Sequence, residues 1–423
     1  MGRKHGWAGL ALALLLAACR QGAPEPGVPV EVRLLDRFGE PGLGYVAVQV
    51  EDGPWTALPS DAEGRYRFTL PAPGSRYGVA VSCWVEATLE PPPHALRPDL
   101  RSLFLYQLTG HDTRRPVFPC AGLHEPALQE ADVAFDAQAV GGAWVWILTD
   151  AGGFFAKSAA GTLRVRYREG GLLAITGSGT VIPEHYLALR HLPGPPPEAL
   201  RFGDADRVEH HQGQLALDSA TGRGVVNLGL FRMGGVGVAT LLARENDLTE
   251  PFPRFEGLGP EYLYLLDART EESPWFAGLW ANPSADRVHL EGQIPGFPAE
   301  AFVSPSTFPR FQLRVRGAAG YWISLLEFRS FIPINGSVYY LSAGWLAERT
   351  DYTLPDLGSL PGFAGAPPQS GVATLGRVAA IFADEGLGPW LESPYWAGGM
   401  HTSQPVRPDS GYTYAGQVFL ILP

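Results

Sequence analysis

Lysine is almost absent from this 423-residue chain, occurring only at Lys4 and Lys157, so arginine carries nearly all of the positive charge. Charged residues make up only 18%, and the formal net charge is −11. An acidic chain of this kind disfavours nucleic acid and other polyanions as partners. Hydrophobic residues make up 45%, so we expect a folded protein with a substantial core.

The chain also lacks the short motifs that usually identify an enzyme. It contains no His-Glu-x-x-His, no Cys-x-x-Cys and no Walker-type glycine loop. Ser178 lies between two glycines, but Thr176 stands where a nucleophile elbow needs glycine. His210 and His211 are adjacent, so on a strand they point to opposite faces. We therefore predict no catalytic residue, no metal site and no cofactor, although scattered carboxylates leave a glycosidase pair open.

Long apolar runs are missing as well, and the longest one lies at the N-terminus. Arg3, Lys4 and His5 precede an apolar stretch over 7–16, which is too short for a stable membrane span. Small residues and a cysteine follow, as Leu16-Ala17-Ala18-Cys19.

This ending resembles the lipobox of bacterial lipoproteins. The resemblance implies a signal peptide over 1–18, cleavage before Cys19 and lipidation of Cys19, with a short tether up to residue 27. Two or three acyl chains would anchor the protein stably, at about 0.8 kcal/mol per buried CH2. We therefore expect an extracytoplasmic protein, lipid-anchored to a bacterial membrane on its periplasmic face or at the cell surface. An ordinary secretory signal with an incidental cysteine is the alternative.

Two further cysteines, Cys83 and Cys120, remain in the exported part of the chain. An exported compartment is oxidising, so a disulfide between them is the expectation. Two buried free thiols are the alternative.

Glycine and proline are abundant, at 52 and 39 residues, and the aromatic fraction is 11%. This mixture is typical of a turn-rich all-β protein. Residues 28–35, 45–50, 55–58, 65–70 and 77–85 alternate apolar and polar positions between glycine- and proline-marked turns. They predict a set of short antiparallel strands.

The stretch from residue 36 to 81 resembles a carboxypeptidase regulatory-like domain, also described as transthyretin-like or Cna-B-like. The resemblance covers about sixty residues and implies an Ig-like β-sandwich with an extracellular accessory role and no catalytic residues. The matching residues are Gly39, Pro41, Gly44, Val46, Val48, Asp61, Gly64, Tyr66, Phe68, Leu70, Pro71, Gly74 and Tyr77.

Four sequence blocks recur in the same order later in the chain. Residues 192–199, 226–232, 242–251 and 272–278 resemble residues 294–301, 323–329, 346–355 and 392–398. We therefore predict tandem Ig-like antiparallel β-sandwich modules, in three related copies over 28–165, 180–285 and 286–423. The first copy would carry an insertion around 90–135.

The last repeated block combines an acidic residue with Ser-Pro and aromatic side chains. One interpretation is a ligand site, because exposed aromatic faces stack on sugar rings. The other is a structural corner whose aromatics enter the core, and this interpretation is favoured because the block is repeated. The residues concerned are Glu272, Trp275, Phe276, Trp280, Trp390, Glu392, Tyr395 and Trp396.

The sequence thus predicts a lipid-anchored cell-envelope protein with a non-catalytic binding or structural role. Its partners would be the membrane, through the lipid, and a glycan or an envelope protein. A carbohydrate-binding or carbohydrate-active protein that uses the repeated acidic and aromatic blocks is the alternative.

Overall fold

A computed structural model describes most of the chain. The described residues are 27–36, 38–61, 65–84, 101–120, 122, 127–169, 171–179, 185–207, 212–217, 224–232, 238–245, 249–255, 257–259, 261–270, 275–281, 287–290, 309–329, 332–347, 349–365, 369, 372–397, 404–407 and 412–421. They are built almost entirely of β-strands, which confirms the all-β class.

A first group of seven strands forms two sheets. One sheet has the order β4–β1–β7, with β1 antiparallel to β4 and parallel to β7. The other has the order β3–β2–β5–β6. The strands are β1 (Val28–Leu35), β2 (Gly44–Val50), β3 (Thr56–Leu58), β4 (Arg65–Leu70), β5 (Arg76–Trp84), β6 (Arg101–Thr109) and β7 (Val117–Pro119).

Local chemistry explains why this group follows the predicted strands. The Asp36 carboxylate accepts hydrogen bonds from the backbone N–H groups of Phe38 (2.8 Å) and Glu40 (2.9 Å). Gly39 adopts a φ of 81°, which glycine reaches without steric cost. The turn after β1 is therefore fixed by side-chain chemistry that the sequence displays.

A second group repeats the same pairing order. Its sheets are β11–β8–β14 and β10–β9–β12–β13, with β8 antiparallel to β11 and parallel to β14. Two 3-10 helices accompany it, Gln138–Val140 and Asp204–Asp206. The strands are β8 (Gln129–Asp136), β9 (Trp144–Thr149), β10 (Gly152–Ala156), β11 (Ala160–Tyr167), β12 (Leu172–Ser178), β13 (His185–Leu192) and β14 (Ala199–Arg201).

A third group has the sheets β18–β15–β21 and β17–β16–β19–β20, again with one parallel pair, β15 with β21. Its strands are β15 (Gln212–Leu217), β16 (Gly224–Arg232), β17 (Val238–Glu245), β18 (Thr249–Pro253), β19 (Tyr262–Thr270), β20 (Trp275–Ala281) and β21 (Arg287–Leu290).

A fourth group pairs β22 with β25, orders its larger sheet β24–β23–β26–β29 and adds the hairpin β27–β28. Its elements are β22 (Arg310–Gln312), β23 (Gly320–Arg329), β24 (Ile332–Ser342), α1 (Ala343–Leu346), β25 (Asp351–Thr353), β26 (Ala373–Phe382), α2 (Gly388–Leu391), β27 (Tyr395–Ala397), β28 (Gln404–Val406) and β29 (Thr413–Ile421).

Strand pairing therefore divides the described chain differently from the three predicted modules. Residue 165 falls inside β11, and the first strands of the second group lie within the predicted first module. One predicted correspondence has a structural counterpart. Residues 226–232 and 323–329 belong to β16 and β23, which hold the same place in their groups.

Three of the four groups share one twelve-stranded sheet. Its order is β17–β16–β19–β20–β29–β26–β23–β24–β6–β5–β2–β3. Strand β20 joins the third group to the fourth by antiparallel pairing with β29, and β24 joins the fourth group to the first by parallel pairing with β6. The groups are thus fused through their sheet edges.

Both faces of this sheet are covered where β5 lies. On β5, Tyr77, Val79 and Val81 face a core that includes residues of the first, third and fourth groups. Ala80, between them, faces a second core formed mainly with the segment from β22 to Phe363. Because strand side chains alternate, a sheet buried on both faces needs apolar residues at successive positions, as β5 has.

Candidate functional site

The predicted lipidation residue, Cys19, lies outside the described residues. Within the described part, no helix is long and apolar enough to cross a membrane. Lipidation of Cys19 stays a prediction.

Cys83 and Cys120 form the predicted disulfide. Their Cα atoms are 5.7 Å apart, and both residues are buried. The bond links the end of β5 to the residue after β7, across the two sheets of the first group. Gly42 and Gly44 pass so close that a Cβ at either would lie about 3 Å from a Cys120 or Cys83 side-chain atom.

The two copies of the acidic and aromatic block lie in different structural settings. Trp275, Phe276 and Trp280 belong to β20 inside the twelve-stranded sheet, where Trp275 pairs with Gln417 of β29. Their side chains, and the whole of Glu272, lie outside the described part. Tyr395 and Trp396 belong instead to the small β27–β28 hairpin.

In the second copy, Trp390 is a core residue. It is 3% exposed and lies on α2. Its ring meets Tyr412 edge to face, with centroids 4.6 Å apart, and the Arg407 guanidinium lies 5.7 Å from its centroid. Stacking of a ligand on this ring is not possible without displacing the core around it.

Trp396 is half-buried and contacts the first group. Its ring meets Phe104 of β6 at 6.2 Å in an edge-to-face arrangement. Its indole Nε1 is buried without a hydrogen-bond partner among the described residues. Trp396 therefore packs the hairpin of the fourth group against the first.

Glu392 belongs to the same contact between groups. Its carboxylate accepts a hydrogen bond from the hydroxyl of Thr113, in the loop between β6 and β7. The Tyr77 hydroxyl donates to the carbonyl oxygen of Thr113 at 2.8 Å. Burial, and then the nearby carboxylates of Asp112 and Glu392, raises the pKa of Tyr77 well above its ordinary value. Tyr77 is therefore a neutral donor.

Asp112 is the centre of this contact, and sequence reasoning missed it. Its Oδ2 accepts hydrogen bonds from the Thr109 backbone N–H (2.7 Å), the Thr109 hydroxyl (2.8 Å) and the Ser342 hydroxyl (2.6 Å). Gly388 of α2 lies so close that a Cβ would meet the Asp112 carbonyl oxygen at 1.7 Å. The spacing of Thr109 and Asp112 is typical of a local turn, but nothing in the sequence indicates the contact between Asp112 and Ser342.

The remaining polar candidates do not assemble into a reactive centre in the described part. The Ser178 carbonyl accepts a hydrogen bond from the Trp144 indole, and Ser178 ends β12. Asp61 accepts from the backbone N–H of Arg65, as a turn residue does. Among the described residues, no group of three or more histidine, cysteine, aspartate or glutamate residues could hold a metal ion.

One acidic side chain in the described core is fully buried. Glu327 of β23 has 0% exposure and accepts hydrogen bonds from the Gln369 backbone N–H and from Asn335 Nδ2 (3.2 Å). Burial raises its pKa above the ordinary value, against the opposing effect of these two donors. The carboxylate holds the backbone of Gln369 beside the sheet.

Large exposed apolar side chains of the described residues lie outside the repeated acidic and aromatic blocks. They lie in the first two groups and on β29, and the described ones are Leu43, Tyr45, Trp84, Phe155 and Leu420. The alternation of apolar and polar residues did not predict their exposure. An apolar residue at the end or edge of a sheet looks the same in the sequence as one in the core.

No family model matches this chain, and no curated protein matches it. Among solved structures, a match is found with the Bacillus anthracis TIE protein, at 12% sequence identity and a TM-score of 0.15. The match covers 58% of this chain and 46% of that one, so the chain spans less than half of that protein's length. A TM-score of this size carries no functional inference.

Proposed function

We propose that this chain is a lipid-anchored cell-envelope protein with a non-catalytic, structural role. The lipobox-like sequence ending at Cys19 would supply the anchor. The carboxypeptidase regulatory-like stretch would supply the first domain of an extracytoplasmic body. The bacterial membrane is then the first partner, and an envelope protein or glycan would be the second.

The observation that carries the structural role is the contact between the first and fourth groups. Glu392 and Trp396 are engaged there by Thr113 and Phe104 of the first group. Trp390, the third candidate for a ligand contact in the fourth group, is packed against Tyr412 within its own group. With the shared sheet, this contact favours a rigid body over a string of independently moving modules. A rigid body suits a spacer or an assembly element.

Metabolic labelling with a fatty-acid analogue tests the anchor. We expect the full-length protein to take up the label and to sediment with membranes. Cys19→Ala should abolish both properties, whereas Cys83→Ser with Cys120→Ser should keep the label. A labelled Cys19→Ala protein would overturn the proposal.

Carbohydrate binding through the repeated blocks is the second candidate function. It is favoured by the exposure of Glu392 and by the partial exposure of Trp396, four residues further along the chain. We would test it on glycan arrays with the full chain, Trp396→Ala and Trp275→Ala. Binding that a folded variant loses would establish this role, and variants that lose only stability would reject it.

A further inference from the structure

Among the described strands of the second group, β10 is an end strand that pairs with β9 on one side only. It is the end strand of the order β10–β9–β12–β13, and its sequence is Gly-Gly-Phe-Phe-Ala, without charge or proline. The edge strand β3 differs, because it has only three residues and lies between Pro54 and Pro59. Proteins commonly blunt edges as β3 does, so an unblunted apolar edge indicates a pairing site.

The register of β10 shows which backbone groups are available. A two-residue loop connects Thr149 to Gly152, which makes these two residues a hydrogen-bonded pair. Hydrogen-bonded pairs alternate along an antiparallel ladder, so the backbone N–H and C=O groups of Gly152, Phe154 and Ala156 point toward β9. The N–H and C=O groups of Gly153 and Phe155 then point away from β9. They form a short template for another antiparallel strand.

The Phe155 side chain marks the same edge. It is 45% exposed, and its ring lies 5.1 Å from that of Trp146 and 6.1 Å from that of Trp144. Gly153 lies on the same face of the strand, two residues away, and leaves that face open beside the ring.

The fourth group of this chain already contains two features that such edge-to-edge pairing would use. Strand β24, which holds the place of β10 in the fourth group, pairs laterally with β6 of the first group. Phe419 of β29 lies over its cross-strand partner Gly376, where a Cβ would meet the ring at 2.0 Å. The strand equivalent to β10 therefore pairs with a strand of another group in this fold. A phenylalanine ring also packs over the glycine that faces it on the neighbouring strand.

We propose that β10 pairs with β10 of a second copy of this chain, antiparallel about a two-fold axis at Phe154. This register places Gly153 opposite Phe155 of the second copy, and each such pair exchanges two backbone hydrogen bonds. Each Phe155 ring covers the opposing glycine, as Phe419 covers Gly376. The two four-stranded sheets become one continuous sheet, and the interface is self-complementary, as a two-fold dimer requires. This dimer does not depend on the lipid anchor.

Light scattering on the full-length chain in detergent, with the detergent mass subtracted, tests the dimer. We expect twice the chain mass for the wild type. Phe155→Lys, which places a charge at the edge, and Gly153→Val, which fills the space for the opposing ring, should both give the mass of one chain. Leu43→Lys alters a side chain of similar exposure, 51%, outside β10 and should remain a dimer.

Hydrogen exchange locates the interface independently. The amides of Gly153 and Phe155 should exchange more slowly as the protein concentration rises, and Gly153→Val should abolish this dependence. A wild type with the mass of one chain would overturn the proposal. So would a dimer that survives both β10 substitutions while folded, or one whose β10 amides exchange at the same rate at every concentration.

Discussion

The Ser342 hydroxyl donates a hydrogen bond of 2.6 Å to the Asp112 carboxylate, joining positions 230 residues apart. Ser342 is also the N-cap of α1, where its oxygen accepts from the Trp345 backbone N–H at 3.0 Å. One aspartate therefore orders both a loop of the first group and a helix of the fourth.

Replacing Asp112 with alanine should lower the free energy of unfolding by about 1.5–3 kcal/mol, because Thr109 and Ser342 lose a charged acceptor. Chemical denaturation measures the change. Asp204→Ala is the control, since Asp204 is 90% exposed in its ion pair with Arg207 and should cost no more than about 1 kcal/mol. A double-mutant cycle with Ser342→Ala should show a coupling of about 0.5 kcal/mol or more. Additive effects would mean that the bond does not join the groups in solution.

The disulfide should stabilise the first group by restricting its unfolded chain. Cys83 and Cys120 are 37 residues apart, so the chain-entropy relation gives about 4 kcal/mol. We expect the double variant Cys83→Ser, Cys120→Ser to unfold at a lower temperature than the wild type. Reductant should lower the wild-type transition to a similar value and leave the variant unchanged. An insensitive wild type with two free thiols would contradict this prediction.

The turns and single strands of the first group could be predicted from the sequence, but the pairing of strands between groups could not. The strands of the first group follow from turn residues such as Asp36 and Gly39 and from alternation beside them. The disulfide followed from the prediction that the chain is exported, which left Cys83 and Cys120 as its two remaining cysteines. The pairing of β6 with β24 has no comparable signal, because parallel strands so distant in sequence meet only through tertiary packing.

The same limit applies to the candidate site. Aromatic and acidic residues at 390–396 suggest a stacking site or a core equally well, and the neighbours decide between them. Tyr412 and Phe104 enclose Trp390 and Trp396, and neither is close to them in sequence. Burial of a strand or helix residue depends on what packs against it, which composition does not reveal.

Trp390→Ala should destabilise the protein by about 3–5 kcal/mol, because it removes a buried aromatic ring and leaves a cavity beside Tyr412. Thermal and denaturant unfolding would measure this loss. Trp84→Ala is the matched control, since Trp84 is 48% exposed and its removal should cost about 0.5 kcal/mol or less. Equal effects of the two substitutions would place the Trp390 ring outside the core.

The titration of Glu327 should lower the free energy of unfolding as the pH rises. The carboxylate of a surface ion pair has the opposite effect, because ionisation strengthens the pair. Burial raises the pKa of this carboxyl above its ordinary value of 4.5, so the folded state holds the proton more tightly than the unfolded state. Its contribution is therefore fully present below about pH 4.5 and is lost as the pH rises through the folded-state pKa.

Glu327→Gln should consequently be more stable than the wild type at neutral pH, with a difference that shrinks as the pH falls toward 4.5. The glutamine carbonyl can still accept from the Gln369 backbone N–H, and the Asn335 amide can turn to meet the new NH2 group. Denaturation of both proteins across this range measures the difference, in which titrations common to both cancel. Glu198→Gln removes the same charge at an exposed position and controls for net charge. If Glu327→Gln is less stable than the wild type at neutral pH, the ionised carboxylate stabilises the sheet, and desolvation does not govern this site.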